Sequence, residues 1–313
     1  MPRPDFPETL PAFAARFGTE DACFRYIIDS RWPDGFRCAG CGSTEAYERT
    51  DRRALQCKRC DKVHSATAGT VMHGSRQPLC SWLWAAYLVI TSKRGISAVE
   101  VQNQLGIRRY EVSFNMLHKL RAAMVSPDRT PLAGQVEVDE TYLGGPERGG
   151  QGKGGKAVIV GAVEVRESGA GRLRLRLVPS ANRGPLFKFI KDNVQPGSTV
   201  ITDAAQVYQT LHWEGYGHEL QSTASGDPQD AVLPHLHIAF SNLKTWLLGT
   251  HHGRVSRKHL QAYLNEFVFR FNRRGNLYAA FQTLLGLSAK VKGPTYEGLY
   301  EGTFQHANPA HNR

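Results

Sequence analysis

Two pairs of cysteines constrain the fold of this chain more than any other feature of its sequence. Cys38 and Cys41 form one C-x2-C pair, Cys57 and Cys60 form the other, and fifteen residues separate the pairs. This is the spacing of a four-cysteine zinc site, in which each C-x2-C turn directs two thiolates at one point and two turns complete a tetrahedron. Four thiolates leave no position for a catalytic water, so we interpret the site as a structural Zn²⁺ site.

The alternatives for these cysteines are four unliganded thiols and a redox-active C-x2-C pair. A redox role would require a separate explanation for each of two pairs at ribbon spacing. Cys23 and Cys80 stand apart in apolar helical segments, where we interpret them as small buried residues.

The composition indicates a globular, basic protein. The 313 residues suggest two or three domains, and the 41% of hydrophobic residues suffices for packed cores. The formal net charge of +11 favours a polyanionic partner, with nucleic acid ahead of an anionic membrane, although charge alone does not separate DNA from RNA. No apolar run reaches the roughly 18 residues of a membrane span, and we recognise no secretory signal, so a cytoplasmic protein is expected.

The first half of the chain divides into three segments. Residues 1–36 form a helical lead-in, residues 37–66 the zinc ribbon, and residues 67–126 a helical region. Within the last segment, two helical patterns break at Leu105-Gly106-Ile107, and exposed basic residues follow the break. This pattern is typical of a DNA-binding helix-turn-helix and equally of an ordinary helical hairpin.

The sequence pattern changes beyond a proline-containing linker. Residues 132–285 form the next predicted domain, which begins with QVEVDETYLGG, where apolar and polar residues alternate as in a strand with one buried face. Residues 286–313 form a C-terminal tail. The order is three strands, a helix, a strand, a helix, a strand and two further helices, which is the order of a ribonuclease H-like domain. The predicted helix between the last two strands covers AAQVYQTLHWEG. The fold class is therefore α+β and multidomain.

Two aspartates are the candidate catalytic residues. Asp139 lies in the first predicted strand of this domain, and Asp203 ends the fourth. Because these strands are neighbours in a ribonuclease H-like sheet, the two carboxylates should converge. Such a pair can hold two Mg²⁺ ions roughly 3.5–4 Å apart, which would clamp the attacking and leaving oxygens of a phosphodiester displacement. The alternative is that both are surface acids at strand ends.

Several motifs together resemble one family of transposases. They are the cysteine ribbon, TAGTVMHGSRQPL, SKRGISAVEVQNQLGI, VEVDETYLGG, VITDAAQVYQTL and LKTWLLGTHHGRVSRKHLQAYLNEFVFRFNRR. Over roughly residues 20–280 the chain resembles the DDE insertion-sequence transposases that carry an N-terminal zinc ribbon and an ISXO-type catalytic domain. The resemblance implies DNA cleavage at element ends, strand transfer by a 3′-hydroxyl and dependence on Mg²⁺, with Mn²⁺ as a substitute. It gives Asp139 and Asp203 the first two acidic roles.

The third acidic position departs from the family pattern. The family usually has a Glu seven residues before a Lys, and here the residue seven before Lys244 is His237. Asn242 is the other candidate, about 140° around the helix from His237. We favour Asn242 on sequence grounds, since an amide oxygen suits Mg²⁺ better than an imidazole nitrogen does. A surface Asn and a packed His are the plainer interpretations.

The C-terminal part of the catalytic region supplies the candidate DNA contacts. Between Lys244 and Lys292 there are nine Lys or Arg residues and a single acid, Glu266. Basic side chains that neutralise phosphates dominate DNA affinity. The candidates are Arg254, Arg257, Lys258, Arg270, Arg273 and Arg274. A glycine-rich loop with Arg148, Lys153 and Lys156 could also meet DNA, and the roles of His251 and His252 stay open.

The sequence therefore predicts a DNA transposase that binds terminal inverted repeats and target DNA, acts as a homodimer or higher oligomer on DNA, and associates with the bacterial nucleoid when bound. One alternative is a zinc-ribbon DNA-binding regulator or inactive transposase derivative, because the third acid is missing. Another is a ribonuclease H-like nuclease that acts on RNA.

Overall fold

The computed structural model describes residues 7, 9–126, 128–144, 156–203, 205–221, 233–253, 255–289 and 293–301. Within these residues the chain divides into two compact units, one built from residues up to 124 and from 273 onward, the other from residues 125–272. No helix in the described ranges combines the length and the apolar character that crossing a membrane requires.

The first unit is helical around a small ribbon. Threonine side chains at positions 9 and 19 cap its first two helices by accepting a backbone N–H three residues on. The ribbon strands form an antiparallel sheet in the order β1-β2-β3. The helices are α1 Leu10–Arg16, α2 Glu20–Arg31, α3 Leu79–Thr91, α4 Ala98–Gln104, α5 Tyr110–Ala123, α9 Leu277–Ser288 and α10 Tyr296–Glu301, and the strands are β1 Ala46–Arg49, β2 Ala54–Cys57 and β3 Val63–Ser65.

Helices α4 and α5 occupy the predicted helix-turn-helix segment. Gly106 in the turn between them has a φ of 61°, a left-handed conformation that glycine adopts without a steric penalty. The two-helix geometry is therefore as predicted, and a DNA-binding role for it stays a prediction.

Helix α9 closes the core of the first unit. The ring of Phe281 packs against Phe13, Phe17, Tyr26 and Tyr87, with ring centroids 5.7 to 6.4 Å apart. The unit boundary after residue 272 thus differs from the predicted domain end at residue 285, and α9 crosses from the predicted catalytic range into the predicted tail. The apolar face of α9 packs mainly against residues near the start of the chain, and local sequence patterns do not indicate such distant contacts.

The second unit is a five-stranded mixed sheet between helices. The strand order is β6-β5-β4-β7-β8; β4, β5 and β6 pair antiparallel, while β7 and β8 run parallel to β4. One face packs against α6 and the other against α7 and α8. This is the predicted ribonuclease H-like layout. The elements are β4 Gln135–Leu143, β5 Ala157–Arg166, β6 Gly169–Val178, α6 Arg183–Asn193, β7 Thr199–Thr202, β8 Gly217–Leu220, α7 Pro234–His251 and α8 Arg257–Phe271.

The segment between β7 and β8 differs from the prediction of one helix. It forms two short 3₁₀ helices, Gln206–Tyr208 and Leu211–Glu214. Each of these helices places one fully buried side chain in the same core cluster, Tyr208 from the first and Leu211 from the second. The core contact of these two side chains therefore decides the local conformation.

An ion-pair network fastens the linker to the sheet. Glu164 of β5 is 4% exposed and accepts hydrogen bonds from Arg166, Arg172 and the backbone N–H of Ala133. Burial opposes its ionisation, but these donors, Arg172 foremost, lower the pKa of Glu164 to about 2. Arg172 also donates to the carbonyl of Pro131.

We predict that Glu164→Gln lowers the stability of the second unit in a pH-dependent manner. A carboxylate whose pKa falls on folding contributes stability above its unfolded value, near 4.5, and loses it as the pH falls toward 2. The wild type should exceed the variant by about 3 kcal/mol at pH 7, and the difference should shrink steadily below pH 4.5. Urea unfolding, read by hydrogen-exchange labelling of β4 to β6, measures this. A difference that is constant from pH 7 to pH 3 would contradict the assignment.

Candidate metal centres

The four paired cysteines converge in the first unit. Their sulfur atoms all lie within 4.8 Å of one another, and the sulfur atoms of Cys38 and Cys60, and those of Cys41 and Cys57, are 3.5 Å apart. Four thiolates at about 2.3 Å from a tetrahedral Zn²⁺ stand about 3.8 Å from one another. The cluster therefore fits Zn²⁺, as the cysteine spacing predicted.

Both cysteine turns have the same backbone design. The residue after the second cysteine donates its N–H to the carbonyl of the first cysteine, Gly42 to Cys38 at 2.9 Å and Asp61 to Cys57 at 3.1 Å. Gly42 and Asp61 both take positive φ values, 75° and 58°. These two equivalent turns point the thiols inward from two separate loops.

Hydrogen-bond donors surround the cysteine sulfurs. The backbone N–H of Gly40 donates to the sulfur of Cys38 at 3.3 Å, and that of Arg59 to the sulfur of Cys57 at 3.4 Å. Burial opposes ionisation, but donors of this kind lower the pKa of both thiols. The Nε2 atom of His64 lies 3.3 Å from the sulfur of Cys38. Cys38 and Cys57 thus favour the thiolate, which is the form that binds metal. A backbone hydrogen bond from Lys62 lowers the pKa of Cys60, but the neighbouring thiols of Cys41 and Cys38 raise it to about 12.

The second candidate centre lies where β4 and β7 pair in parallel. Gln135 lies opposite Thr199 in this pair, so the same register carried four residues on places Asp139 beside Asp203. Burial raises the pKa of Asp139, and the negative charge of Asp203 raises it further, against hydrogen bonds that lower it. The two aspartates are therefore neighbours where β7 ends beside the middle of β4.

A buried tyrosine ties the two aspartate-bearing segments together. The hydroxyl of Tyr208, five residues after Asp203, donates to Oε2 of Glu140 at 2.9 Å. Glu140 follows Asp139 in β4, and burial together with the charge of Glu140 raises the pKa of Tyr208. The loop after β7 is thus fastened beside β4 at the level of the aspartates.

Helix α7 brings His237 to the aspartate pair. The Nε2 atom of His237 lies 3.1 Å from Oδ2 of Asp139. Two adjacent ligands of an octahedral ion, each about 2.1 Å from it, are about 3.0 Å apart, so this pair has the spacing of shared ligands. Asn242 lies about 7.5 Å further along the helix axis and about 140° around it. The structure thus places His237 against Asp139, whereas Asn242, which the sequence favoured, lies further along the helix.

Close packing sets the height of α7 above the sheet. Gly161 of β5 lies opposite Asp139, and a Cβ atom at that position would come within 2.8 Å of the Phe240 ring and 2.9 Å of Leu236. The missing side chain lets the first turns of α7 lie directly on the strand. His237 reaches Asp139 because of this approach.

The aspartate centre is more open than the cysteine cluster. Over the described ranges, the cysteines are the one group of three or more His, Cys, Asp or Glu whose ligand atoms all lie within 4.8 Å. Asp139, Asp203 and His237 consequently span a wider space. Asp139 interacts electrostatically with Asp203 and through a close contact with His237.

Comparison with protein families matches two parts of the chain to transposase domains. Residues 18–63 match the transposase zinc-ribbon domain, and residues 131–272 match the ISXO2-like transposase domain. The chain belongs to this transposase family. No individually curated protein matches the chain.

The transposase places its predicted DNA-contact residues in different settings. Arg257 and Lys258 are exposed at the start of α8, and Arg254 lies outside the described residues, as do Arg148 and Lys153. Arg270 fits the prediction of a phosphate contact less well than Arg257 and Lys258 do. Its side chain is only 16% exposed and pairs with the fully buried Glu266 at 3.7 Å. Arg273 and Arg274 fall in the first unit.

Sequence reasoning missed three residues that shape the transposase site. Glu137, His235 and Tyr208 each hold an element that carries a candidate ligand. Glu137 has the clearest signal in the sequence. It shares one face of the strand with Asp139, whereas Val136 and Val138 share the opposite face. His251, left open before, packs its ring against Trp246 and Tyr263.

We predict that Cys57→Ser removes the metal from the ribbon and unfolds it. Structural zinc supplies much of the folding free energy of a small site, so hydrogen exchange in residues 38–65 should accelerate at least about tenfold, while the second unit keeps its protection. Metal analysis and hydrogen-exchange mass spectrometry measure both effects. Cys80→Ser is the matched control, because Cys80 lies outside the cluster. Full metal content in Cys57→Ser would rule out the four-cysteine site.

Proposed function

We propose that this transposase cleaves DNA at the ends of its insertion sequence and joins the resulting 3′-hydroxyls to target DNA by two-metal chemistry. The placement of Asp139 beside Asp203 on neighbouring parallel strands carries the proposal, since phosphodiester chemistry with divalent cations needs converging carboxylates. The family match supports the same reaction class.

Asp139 is the ligand that the two metal positions would share. It interacts with Asp203 on one side and lies 3.1 Å from His237 on the other. When bound, a pair of Mg²⁺ ions would activate the attacking water or 3′-hydroxyl and stabilise the leaving oxygen. The wide spread of the three side chains suits two neighbouring cation positions better than one.

His237 is our candidate for the third ligand. Its side chain is 52% exposed and its Nε2 atom faces Asp139, so a metal can approach without displacing core residues. An imidazole nitrogen is a softer ligand than a carboxylate and favours a transition metal. Mn²⁺ should therefore support the reaction at lower concentration than Mg²⁺.

The DNA would lie along the exposed basic face of α7 and α8. Lys244 follows His237 by seven residues, hence on the same helix face. Lys244 and Arg257 line one pocket of about 290 Å³ beside the end of β4, together with Leu143 and Leu248. The exposed side chains of Arg257 and Lys258 are the best candidates for phosphate contacts. We assign recognition of the terminal repeats to the zinc ribbon and the α4–α5 segment.

Two copies are needed to hold two element ends, so we assign the active form to a homodimer or larger assembly on DNA, associated with the nucleoid. The competing function is DNA-binding regulation without cleavage, and the absence of an acidic third residue is what favours it. The converging Asp139 and Asp203 favour the enzyme.

We predict that Asp139→Asn abolishes end cleavage and leaves DNA binding intact. The substitution removes the charge of the shared ligand while keeping its size. End nicking of labelled terminal-repeat DNA in Mg²⁺ and in Mn²⁺, beside a binding assay with the same DNA, measures the two activities. If the wild type binds the repeats but cleaves in neither metal, the regulator is the correct function.

We further predict that His237→Ala raises the metal concentration for half-maximal nicking by about 10- to 100-fold, the usual cost of disturbing a metal site. Asn242→Ala, five residues along the same helix, should change it little. Metal titrations of both variants with the same DNA give the comparison. The reverse ranking would assign the third ligand role to Asn242.

A further inference from the structure

We propose that Glu137 is a positioning residue that fixes the first turn of α7, holds His237 beside Asp139, and thereby sets the divalent-metal affinity of the site. The inference deepens the proposed function and rests on it for the role of His237. The contacts of Glu137 with α7 are its own evidence.

The residue that directly precedes α7 does not cap its first turn. Leu233 precedes the helix in a left-handed conformation, with a φ of 51°, and supplies no side-chain hydrogen bond. The first N–H groups of a helix have no partner within it, and a side-chain oxygen at the N-cap usually accepts the one at the third position. Here Oε2 of Glu137 accepts the N–H of Leu236, the third residue of α7, at 2.7 Å.

The second carboxylate oxygen of Glu137 is also engaged with α7. Oε1 lies 2.7 Å from Nδ1 of His235, so the imidazole donates to the carboxylate. Both oxygens therefore hold one helical turn, from a strand about 98 residues earlier in the sequence. A negative charge at a helix N-terminus also interacts favourably with the helix dipole.

The Glu137 contact is in register with the proposed metal ligands. Glu137 and Asp139 are two residues apart in β4 and hence on one face of the sheet, about 6.7 Å from each other. Their imidazole partners, His235 and His237, are also two residues apart. Fixing the Glu137–His235 pair therefore fixes the position from which His237 reaches Asp139.

Burial makes the Glu137 contact rigid. Glu137 is 2% exposed, whereas the side chain of His237 is 52% exposed. A buried carboxylate that loses its partners keeps the cost of desolvation without compensation. Movement of the first turn away from β4 is thus strongly disfavoured, and the exposed histidine is held by a buried neighbour.

The test uses the full chain with four proteins: wild type, Glu137→Leu, Glu137→Gln and Glu164→Gln. Gln keeps an oxygen for the Leu236 N–H, whereas Leu keeps neither acceptor. Glu164→Gln is the matched control, since Glu164 is an equally buried carboxylate on the neighbouring strand β5 but bonds to Arg172 rather than to α7. Mn²⁺ binding without DNA is followed by electron paramagnetic resonance, and hydrogen exchange is followed in residues 233–243.

Glu137→Leu should weaken Mn²⁺ binding by about tenfold or more and accelerate exchange at the start of α7. Glu137→Gln should stay within about threefold of the wild type for binding, and Glu164→Gln should not change it. Unchanged exchange in β4 to β6 verifies that the Glu137 variants are folded, and Glu137→Gln decides the matter if Glu137→Leu does not fold.

Wild-type Mn²⁺ binding in folded Glu137→Leu would overturn the inference. So would a loss of binding in Glu137→Gln as complete as in Asp139→Asn, because Glu137 would then be a ligand itself. A wild type that binds no Mn²⁺ would overturn it too. A wild type that binds Mn²⁺ but never nicks DNA would refute the proposed function alone, since the Mn²⁺ and exchange measurements would still decide the role of Glu137.

Discussion

The parallel pairing of β4 with β7 is the constraint on which the catalytic unit depends. Parallel strands cannot be joined by a tight turn and need a long crossover. β5, β6 and α6 form that connection, and it brings Asp203 beside Asp139 although they are 64 positions apart in the sequence. Asp139 lies in the middle of β4 and Asp203 directly follows β7, so the sheet fixes where the two carboxylates meet.

The third side of the site depends on how closely α7 lies against this sheet. Gly161 opposite Asp139 lets Phe240 and Leu236 touch the strand backbone, and Glu137 engages the first turn of the helix. The contact at Gly161 sets the distance between the helix and the sheet, and the contact of Glu137 fixes the position of the helix N-terminus. Both flank the strand position of Asp139, so the histidine that faces it stands on a fixed turn while its own ring stays accessible.

The features that could be predicted from sequence are those set by near neighbours. The cysteine ribbon follows from two local turns, and the first strand of the second unit follows from alternation with a period of two. The choice between Asn242 and His237 was made on ligand chemistry, whereas the structure separates them by position along α7, which requires knowing where the helix begins. The 3₁₀ segment at Tyr208 and the docking of α9 through Phe281 depend on partners distant in sequence. The Glu137–His235 pair escapes local reasoning for the same reason.

If His237 is the third ligand, as proposed, a histidine in place of the acidic residue changes what the scaffold must supply. Two aspartates and a neutral imidazole attract cations less strongly than three carboxylates, and they also repel one another less. The affinity that is lost through charge can be recovered only through accurate placement, because ligands already held in position lose little freedom when they bind. The buried carboxylate of Glu137, the glycine at 161 and the tyrosine at 208 each hold one element of the site in place from outside the proposed metal shell. The proposed metal centre, with its reduced charge, would therefore depend more strongly on rigid surroundings, and the contacts of Glu137, Gly161 and Tyr208 are placed to provide them.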